Sequence, residues 1–281
     1  MLSRIWIALT SWLPGRRRNI EEWLAQLSSS QARERWEAAE ALAPYSSQAR
    51  VSEALVDVLG DVHPFVRWQA GQGLAQRQDD RTFSLLEGAL ASKNLHRRSA
   101  AADVLGKLGD KRATAALGKA LDSHNAEVRC SAAEALAHLA DPAALPALLK
   151  SFDDGDEHVR RAVVSAFGAV GGPEAIGALL KALEDTSAPV RASAVMALAK
   201  AAGPAAAVPL QSALSDPDTA VRWSAVRALS AVGDEATIAL LQPMSGDETE
   251  IFGVSMAQVV QGAIQEIETR QKKQAAASHS P

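Results

Sequence analysis

The stretch Phe152 to Val163, FDDGDEHVRRAV, concentrates groups that do chemistry. Asp153, Asp154, Asp156 and Glu157 bring four carboxylates, His158 an imidazole, and Arg160 and Arg161 two guanidinium groups. Such a set binds a metal or moves protons when a fold makes it converge. Whether it converges depends on the elements that carry it, and its spacing recurs along the chain. Arg67, Arg98, Arg129, Arg160, Arg191 and Arg222 follow one another at steps of 31 residues, and a looser copy, ERWEAAEAL, places Arg35 32 residues before Arg67. The cluster is thus one copy of a repeat.

Two further slots hold the frame. Twelve residues before each arginine stand Trp23, Leu55, Leu86, Leu117, Leu148, Leu179 and Leu210; seven after stand Leu42, Leu74, Leu105, Leu136, Phe167, Leu198 and Leu229. Each unit reads as two helices, the first through runs such as GALLKAL and the second with small residues, for example Ala132 and Ala133, on its buried stripe. Asp61, Asp154, Asp185 and Asp216, six residues before their arginines, are expected to cap the second helices. Gly109, Gly171 and Gly233 suit helix ends that need positive φ, and Pro142, Pro173 and Pro204 suit the first turn of the next helix. No segment shows the alternation of a strand.

The segment Asp216 to Leu241, DPDTAVRWSAVRALSAVGDEATIALL, resembles the short HEAT-like repeats of the phycobilin lyase group. The likeness covers residues 20–246 and implies an all-α fold, an α-solenoid of seven HEAT-like hairpins at the 31-residue period, with N- and C-terminal caps. Residues 1–19 form an amphipathic segment and basic linker, 247–269 a degenerate cap in which Gly253 replaces the arginine, and 270–281 an expected disordered tail. Proteins with such repeats act as scaffolds, chaperone-like subunits and, in some families, enzymes, so the fold does not name the function. The deoxyhypusine hydroxylases share the repeat design but carry paired His-Glu dipeptides. No His-Glu dipeptide occurs here, and Glu157-His158 is reversed and single.

Composition narrows the classes further. The chain's net charge is −4, but residues 1–19 hold four arginines and no acid, and residues 270–281 hold three basic residues and no acid. The repeat body between them has 22 basic against 33 acidic residues, a poor match to a nucleic-acid backbone. Cys130 is the one cysteine, which rules out an internal disulfide and a cysteine zinc site. No catalytic constellation, metal site or cofactor is expected, and the FDDGDEHVRRAV cluster is read as a solvated inter-helix turn. The repeat arginines are read as a structural ladder.

Function is then expected on the slots of the second helices that face away from the buried stripe. These carry Trp36, Phe65, Trp68, His96, Asp103, Glu134, His158, Arg161, Trp223 and Arg227, with Trp36, Trp68 and Trp223 in one identical slot directly after the arginine. Exposed tryptophans in a groove favour a protein partner. The reading is a protein-binding scaffold or an assembly and maturation factor in the cytoplasm. The family resemblance adds a second: a lyase-type subunit whose groove holds a tetrapyrrole against His96, His158, Asp103, Glu134 or Arg161. A third comes from the chain's start, where Leu2, Ile5, Trp6, Leu9, Trp12 and Leu13 fall on one side of a helix before Arg16, Arg17 and Arg18. Twelve residues are too few to span a bilayer, which takes about 20. Residues 2–13 therefore cap the first unit, or residues 2–18 rest on an anionic membrane surface and make the protein a peripheral scaffold.

Overall fold

The computed structural model describes residues 18–76, 78–251 and 253–278. Residues 2–13, with Arg16 and Arg17, lie outside the described residues, and with them the choice between cap and membrane anchor. Arg18 is described: it donates to the Gln26 Oε1 and stacks 4.9 Å from the Trp23 ring centroid.

Seven helical pairs follow in order: α1 (Ile20–Gln26) with α2 (Ala32–Leu42), α3 (Ala49–Val58) with α4 (Pro64–Ala75), and α5 (Asp80–Ala89) with α6 (Leu95–Leu108). Then come α7 (Thr114–Ala120) with α8 (Ala126–Leu139), α9 (Leu145–Lys150) with α10 (Glu157–Val170), α11 (Pro173–Ala182) with α12 (Ala188–Ala202), and α13 (Ala207–Gln211) with α14 (Thr219–Val232). The periodic leucines explain the arrangement: Leu55, Leu86, Leu117, Leu148, Leu179 and Leu210 from the first helices, and Leu42, Leu74, Leu105, Leu136, Phe167 and Leu229 from the second, are fully buried in one continuous core. The second helices pack side by side, each against the next, and form the inner layer. Small residues permit that approach. A Cβ on Gly106 would lie 2.7 Å from the Ala135 Cα, and one on Gly168 would lie 2.7 Å from the Ala197 Cβ.

The recurring aspartates do something other than the capping read from the sequence. Four of the second helices are capped by the side chain four residues before the arginine: Asn94 accepts from the Arg97 amide, Asn125 from Val128, Asp156 from His158 and Val159, and Asp218 from Ala220 and Val221. Asp61, Asp154, Asp185 and Asp216 stand two residues earlier, where each accepts the amide of the residue two further on. Their second partner is the arginine of the preceding unit. Arg129 Nε and Nη2 hold the Asp154 carboxylate at 2.7 and 2.8 Å, Arg160 holds Asp185 at 2.9 and 3.0 Å, and Arg191 holds Asp216 at 2.8 Å through both nitrogens. Arg35 holds Asp61 in the same way at 2.6 and 2.8 Å. The third nitrogen, Nη1, binds a carbonyl of the arginine's own unit: Ser29, Ser123, Asp154 or Asp185. The ladder therefore joins neighbouring units, and the bidentate fork is the strong form of a charge-assisted bond.

Two helix ends match the glycines expected there, with φ of 70° at Gly109 and 69° at Gly171. Ala140 takes the corresponding slot at φ 47°. Gly233 differs: its φ is −73°, and it is needed for space, since a Cβ there would lie 2.6 Å from the Leu229 carbonyl oxygen.

Beyond the seventh pair, α15 (Glu235–Leu241) begins a degenerate eighth unit. A two-stranded antiparallel hairpin follows, β1 (Glu250–Ile251) with β2 (Val254–Ser255), and Gly253 occupies its turn at φ 77°, which is why no arginine stands in that slot. The long α16 (Met256–Ser278) closes the unit, burying Met256, Val260, Ala263 and Ile267 against Val226 and Leu241. The tail expected to be disordered from residue 270 is helical to Ser278. Arg270 explains the difference: it donates to the Ser230 carbonyl at 2.7 Å and to that of Gly233, satisfying the free C-terminal end of α14.

Four outcomes follow from the packing and the ladder. Burial works to raise the Asp154 carboxyl, but the hydrogen bond from Arg129, the Asp156 amide and the positive charge of Arg129 and Arg160 outweigh it, and it lies below the ordinary 3.8. Asp61, Asp185 and Asp216 are lowered by the equivalent contacts. Carboxyls lowered in the folded state add stability that is complete above their unfolded value and is lost as the pH falls through the folded one, so melting temperature should fall progressively below about pH 5. Asp154→Asn should cost about 2 kcal/mol at neutral pH and shallow the acid-induced fall, both read by thermal scans between pH 7 and pH 3. Gly168→Ala should destabilise by about 1–3 kcal/mol through overpacking. Gly88→Ala, whose Cβ would meet nothing within 4 Å on α5, should instead raise the melting temperature, by up to about 1 kcal/mol of helix propensity.

Candidate functional site: an aromatic cleft beside an acidic groove

The inner layer exposes side chains that the buried stripe does not use. At its N-terminal end α2 presents Trp36, and α4 presents Phe65 and Trp68 one unit further on. Together with Ala32, Arg33 and His63 they line an open cavity of about 440 Å³ with mainly apolar walls. Phe65 is 67% exposed and Trp68 53% exposed, while Trp36 is half-buried against the core. His63, which precedes Pro64 at the start of α4, stands 5.7 Å from the Phe65 ring at a tilt of 39°. Arg33, on the cleft's rim, pairs with Glu37 one turn on at 2.9 Å.

Trp68 also borders a smaller, polar cavity of about 170 Å³, lined by Arg67, Ser99, Asp103, Glu127 and Ser131 among others. Ser99 Oγ donates to Glu127 Oε1 at 3.2 Å. Asp103 is open to this groove, yet neighbouring atoms displace much of its water. That desolvation, with Glu134 and Glu127 nearby, raises its carboxyl above the ordinary 3.8, while a hydrogen bond from Ser131 and the charge of Lys107 pull the other way. The floor beside the aromatic cleft is thus acidic.

Other candidates are spread along the layer. Glu134 on α8 is exposed and lies 3.8 Å from the Cys130 Sγ, whose thiol is pushed up to about 11 by burial first and by Glu134 second. Cys130 is therefore protonated and a poor nucleophile at neutral pH. His96 begins α6 with its Nδ1 buried and unpaired, and His158 and Arg161 are exposed at the start of α10. The opening cluster resolves into divergent contacts: Asp154 meets Arg129, Asp156 caps α10, Glu157 accepts from the Ser187 Oγ at 2.7 Å, and Arg160 meets Asp185. Among the described residues no three His, Cys, Asp or Glu side chains converge as metal ligands would.

Trp223 corrects the expectation of one aromatic surface. It occupies the same repeat slot as Trp36 and Trp68, but its neighbour is the C-terminal helix: it is half-buried against the cluster of Leu241, Met256 and Val260, with the Arg227 guanidinium 4.9 Å above its ring. An identical slot cannot reveal that a non-repeating helix covers it. His63 and Ala32 were missed as cleft residues because they lie four and three residues before their arginines, outside the slots read as facing the groove, and Arg33 because its slot, shared with Phe65, was read there for its aromatic and histidine side chains.

A family model for HEAT repeats matches overlapping segments at 20–106, 52–127, 97–168, 115–199 and 177–252. No curated protein matches the sequence. Among solved structures the chain is similar to YibA of E. coli at 19% identity, covering 90% of this chain and 99% of that one with a TM-score of 0.59, which supports the fold. It is also similar to the complex of CpcE and CpcF of phycocyanin lyase from Nostoc sp. PCC7120, at 24% identity over 91% of this chain and 97% of that one with a TM-score of 0.44. Human deoxyhypusine hydroxylase matches at 20% identity over 89% and 96% with a TM-score of 0.39. With its repeat frame, its paired helices and the family model's match across residues 20–252, this chain belongs to the HEAT-repeat family.

Proposed function

We propose that the chain is a protein-binding HEAT-repeat scaffold, of the assembly or maturation kind, that takes its partner on the inner layer and anchors it in the cleft of Trp36, Phe65 and Trp68. The observation that carries this reading is the pair Phe65 and Trp68, two large aromatics more than half exposed and side by side over an apolar cavity. Aromatic side chains in that state leave apolar surface in water, and burying such surface in a partner is the commonest source of interface affinity. The large core side chains hold the units together, and neither Phe65 nor Trp68 is among them. The acidic groove that begins at Trp68 gives the cleft a polar margin, as binding surfaces have around an apolar centre.

The test separates binding from packing. The intact chain is used as bait in extract of its native host, and the captured protein is identified and then titrated against purified variants. Phe65→Ala with Trp68→Ala should weaken that binding by more than 1 kcal/mol while moving stability by less than about 0.5 kcal/mol, as expected for exposed anchors. Trp223→Ala should do the reverse, lowering stability by about 2 kcal/mol through the lost packing on the C-terminal helix and leaving binding unchanged. A Phe65→Ala, Trp68→Ala variant that melts early and binds normally would show that the cleft is packing and the partner docks elsewhere.

A further inference from the structure

The clamp that holds Asp154 under Arg129 is lost at two successive joints. The slot 25 residues after Arg67 holds Ser92, and the slot 25 residues after Arg98 holds Ser123. Each serine keeps the local half of the aspartate's role, its Oγ accepting the amide two residues on, from Asn94 at 3.2 Å and from Asn125 at 3.3 Å. Neither supplies the charge. Arg67 still stands in the ladder pose, with Nη1 donating to the Asp61 carbonyl at 2.8 Å and the Val62 carbonyl at 3.1 Å, as Arg191 does to Asp185 and Thr186. Its Nε and Nη2, the two nitrogens that grip a carboxylate in four other units, donate to no acceptor among the described residues. Arg98, with no carboxylate to meet, turns its Nε back to the Leu90 carbonyl at 3.1 Å. It lines an open cavity of about 400 Å³ with Lys119, Ser123 and His124, where the acid present, Asp122, is already engaged by Lys150 at 2.6 Å.

Resting on the protein-binding reading above, we propose that the two unfilled rungs, Arg67 over Ser92 and Arg98 over Ser123, receive carboxylates from an acidic segment of the protein partner. The filled rungs show what this position of the repeat binds: a planar two-oxygen group, gripped by Nε and Nη2. Replacing aspartate by serine removes that group: at Arg67 it leaves Nε and Nη2 without an acceptor among the described residues, and at Arg98 an incoming carboxylate takes the place of the Leu90 carbonyl on Nε. Charge agrees locally. Lys93 follows Ser92 in the chain, Arg97 beside it is paired with Asp57 at 3.1 Å, and Lys119 faces the second rung. Asp103 and Glu127 line the small cavity that Arg67 also borders, so the incoming carboxylate is placed on the Ser92 side of Arg67, away from that floor. Position agrees too, since Trp68 of the aromatic cleft directly follows Arg67. Neighbouring helices pack about 8–10 Å apart. An extended chain covers that distance in about three residues, so the two rungs fit acids spaced i and i+3.

The experiment uses the full-length chain with three probes: a capped Asp-Gly-Gly-Asp peptide, the capped Asn-Gly-Gly-Asn peptide, and sodium acetate, each titrated by calorimetry and by amide chemical shifts. The acidic peptide should bind in the millimolar range or tighter, and the neutral one should not. Ser92→Asp with Ser123→Asp should restore the two internal clamps, raising the melting temperature by about 2–4 °C, and should weaken the acidic peptide at least tenfold. The rise in melting temperature also certifies that the variant is folded. A double variant that binds the acidic peptide as well as the unaltered chain, or an unaltered chain that binds both peptides alike or neither, would overturn the proposal. Acetate saturating the same signals at equal carboxylate concentration would overturn its assignment to a protein segment, because a free small acid would then suffice. The peptides carry no apolar side chain, so this readout is independent of the cleft: partner capture lost in Phe65→Ala, Trp68→Ala but untouched by Ser92→Asp, Ser123→Asp would leave the aromatic site standing and remove the rungs alone.

Discussion

Four joints of this solenoid depend on a guanidinium held between its own unit and the next, that of Arg35, Arg129, Arg160 or Arg191. One arginine nitrogen binds a carbonyl at the turn it belongs to, and two others bind the aspartate that starts the following second helix. The clamp lies at the edge of the stack with its side chains largely withdrawn from water, at 17% and 10% exposure for Arg129 and Asp154. Partial burial strengthens the attraction and makes the loss of one partner expensive. Leucines between the layers supply the bulk of the favourable burial, but leucine contacts are tolerant of rotation and sliding. The fork of Arg on Asp is directional, and it sets how far one pair of helices is turned against its neighbour.

The consequence for the candidate site is that the cleft and the clamps share residues' neighbours without sharing residues. Trp68 points outward from the turn of helix on which Arg67 points along the edge. The arginine's grip on its carbonyls fixes the start of α4, and this in turn fixes where Phe65 and Trp68 stand. A binding surface built on helix starts that are pinned at their first turn loses little conformational freedom when a partner arrives.

Much of this was legible in the chain because a repeat shows each constraint several times over. Leu55, Leu86 and Leu117 announced the core by recurring, and so did the arginines. What recurrence could not give was the identity of a partner one unit away: Asp154 lies six residues before Arg160 and 25 after Arg129, and only the nearer of these suggests itself when a turn is read locally. The structure gives the carboxylate to the farther one. Departures from periodicity were harder still. Trp223 looks like Trp68 until α16 is seen to lie over it, and the tail from Arg270 looks unstructured until its guanidinium is seen to close the end of α14. Position along the stack, rather than residue type, decides these cases.

That closing helix has a consequence for assembly. A stack of like units ends, in principle, on the same apolar face that its units use between themselves, and such a face invites a second molecule to continue the stack head to tail. By laying Met256, Val260, Ala263 and Ile267 over Val226 and Leu241, α16 uses up that face, and the charged and polar outer side it turns to solvent, with Glu266 and Lys273, offers nothing in register with a unit's interior. Among the described residues, the face through which a second copy would continue the stack at this end is thus occupied by the chain's own helix.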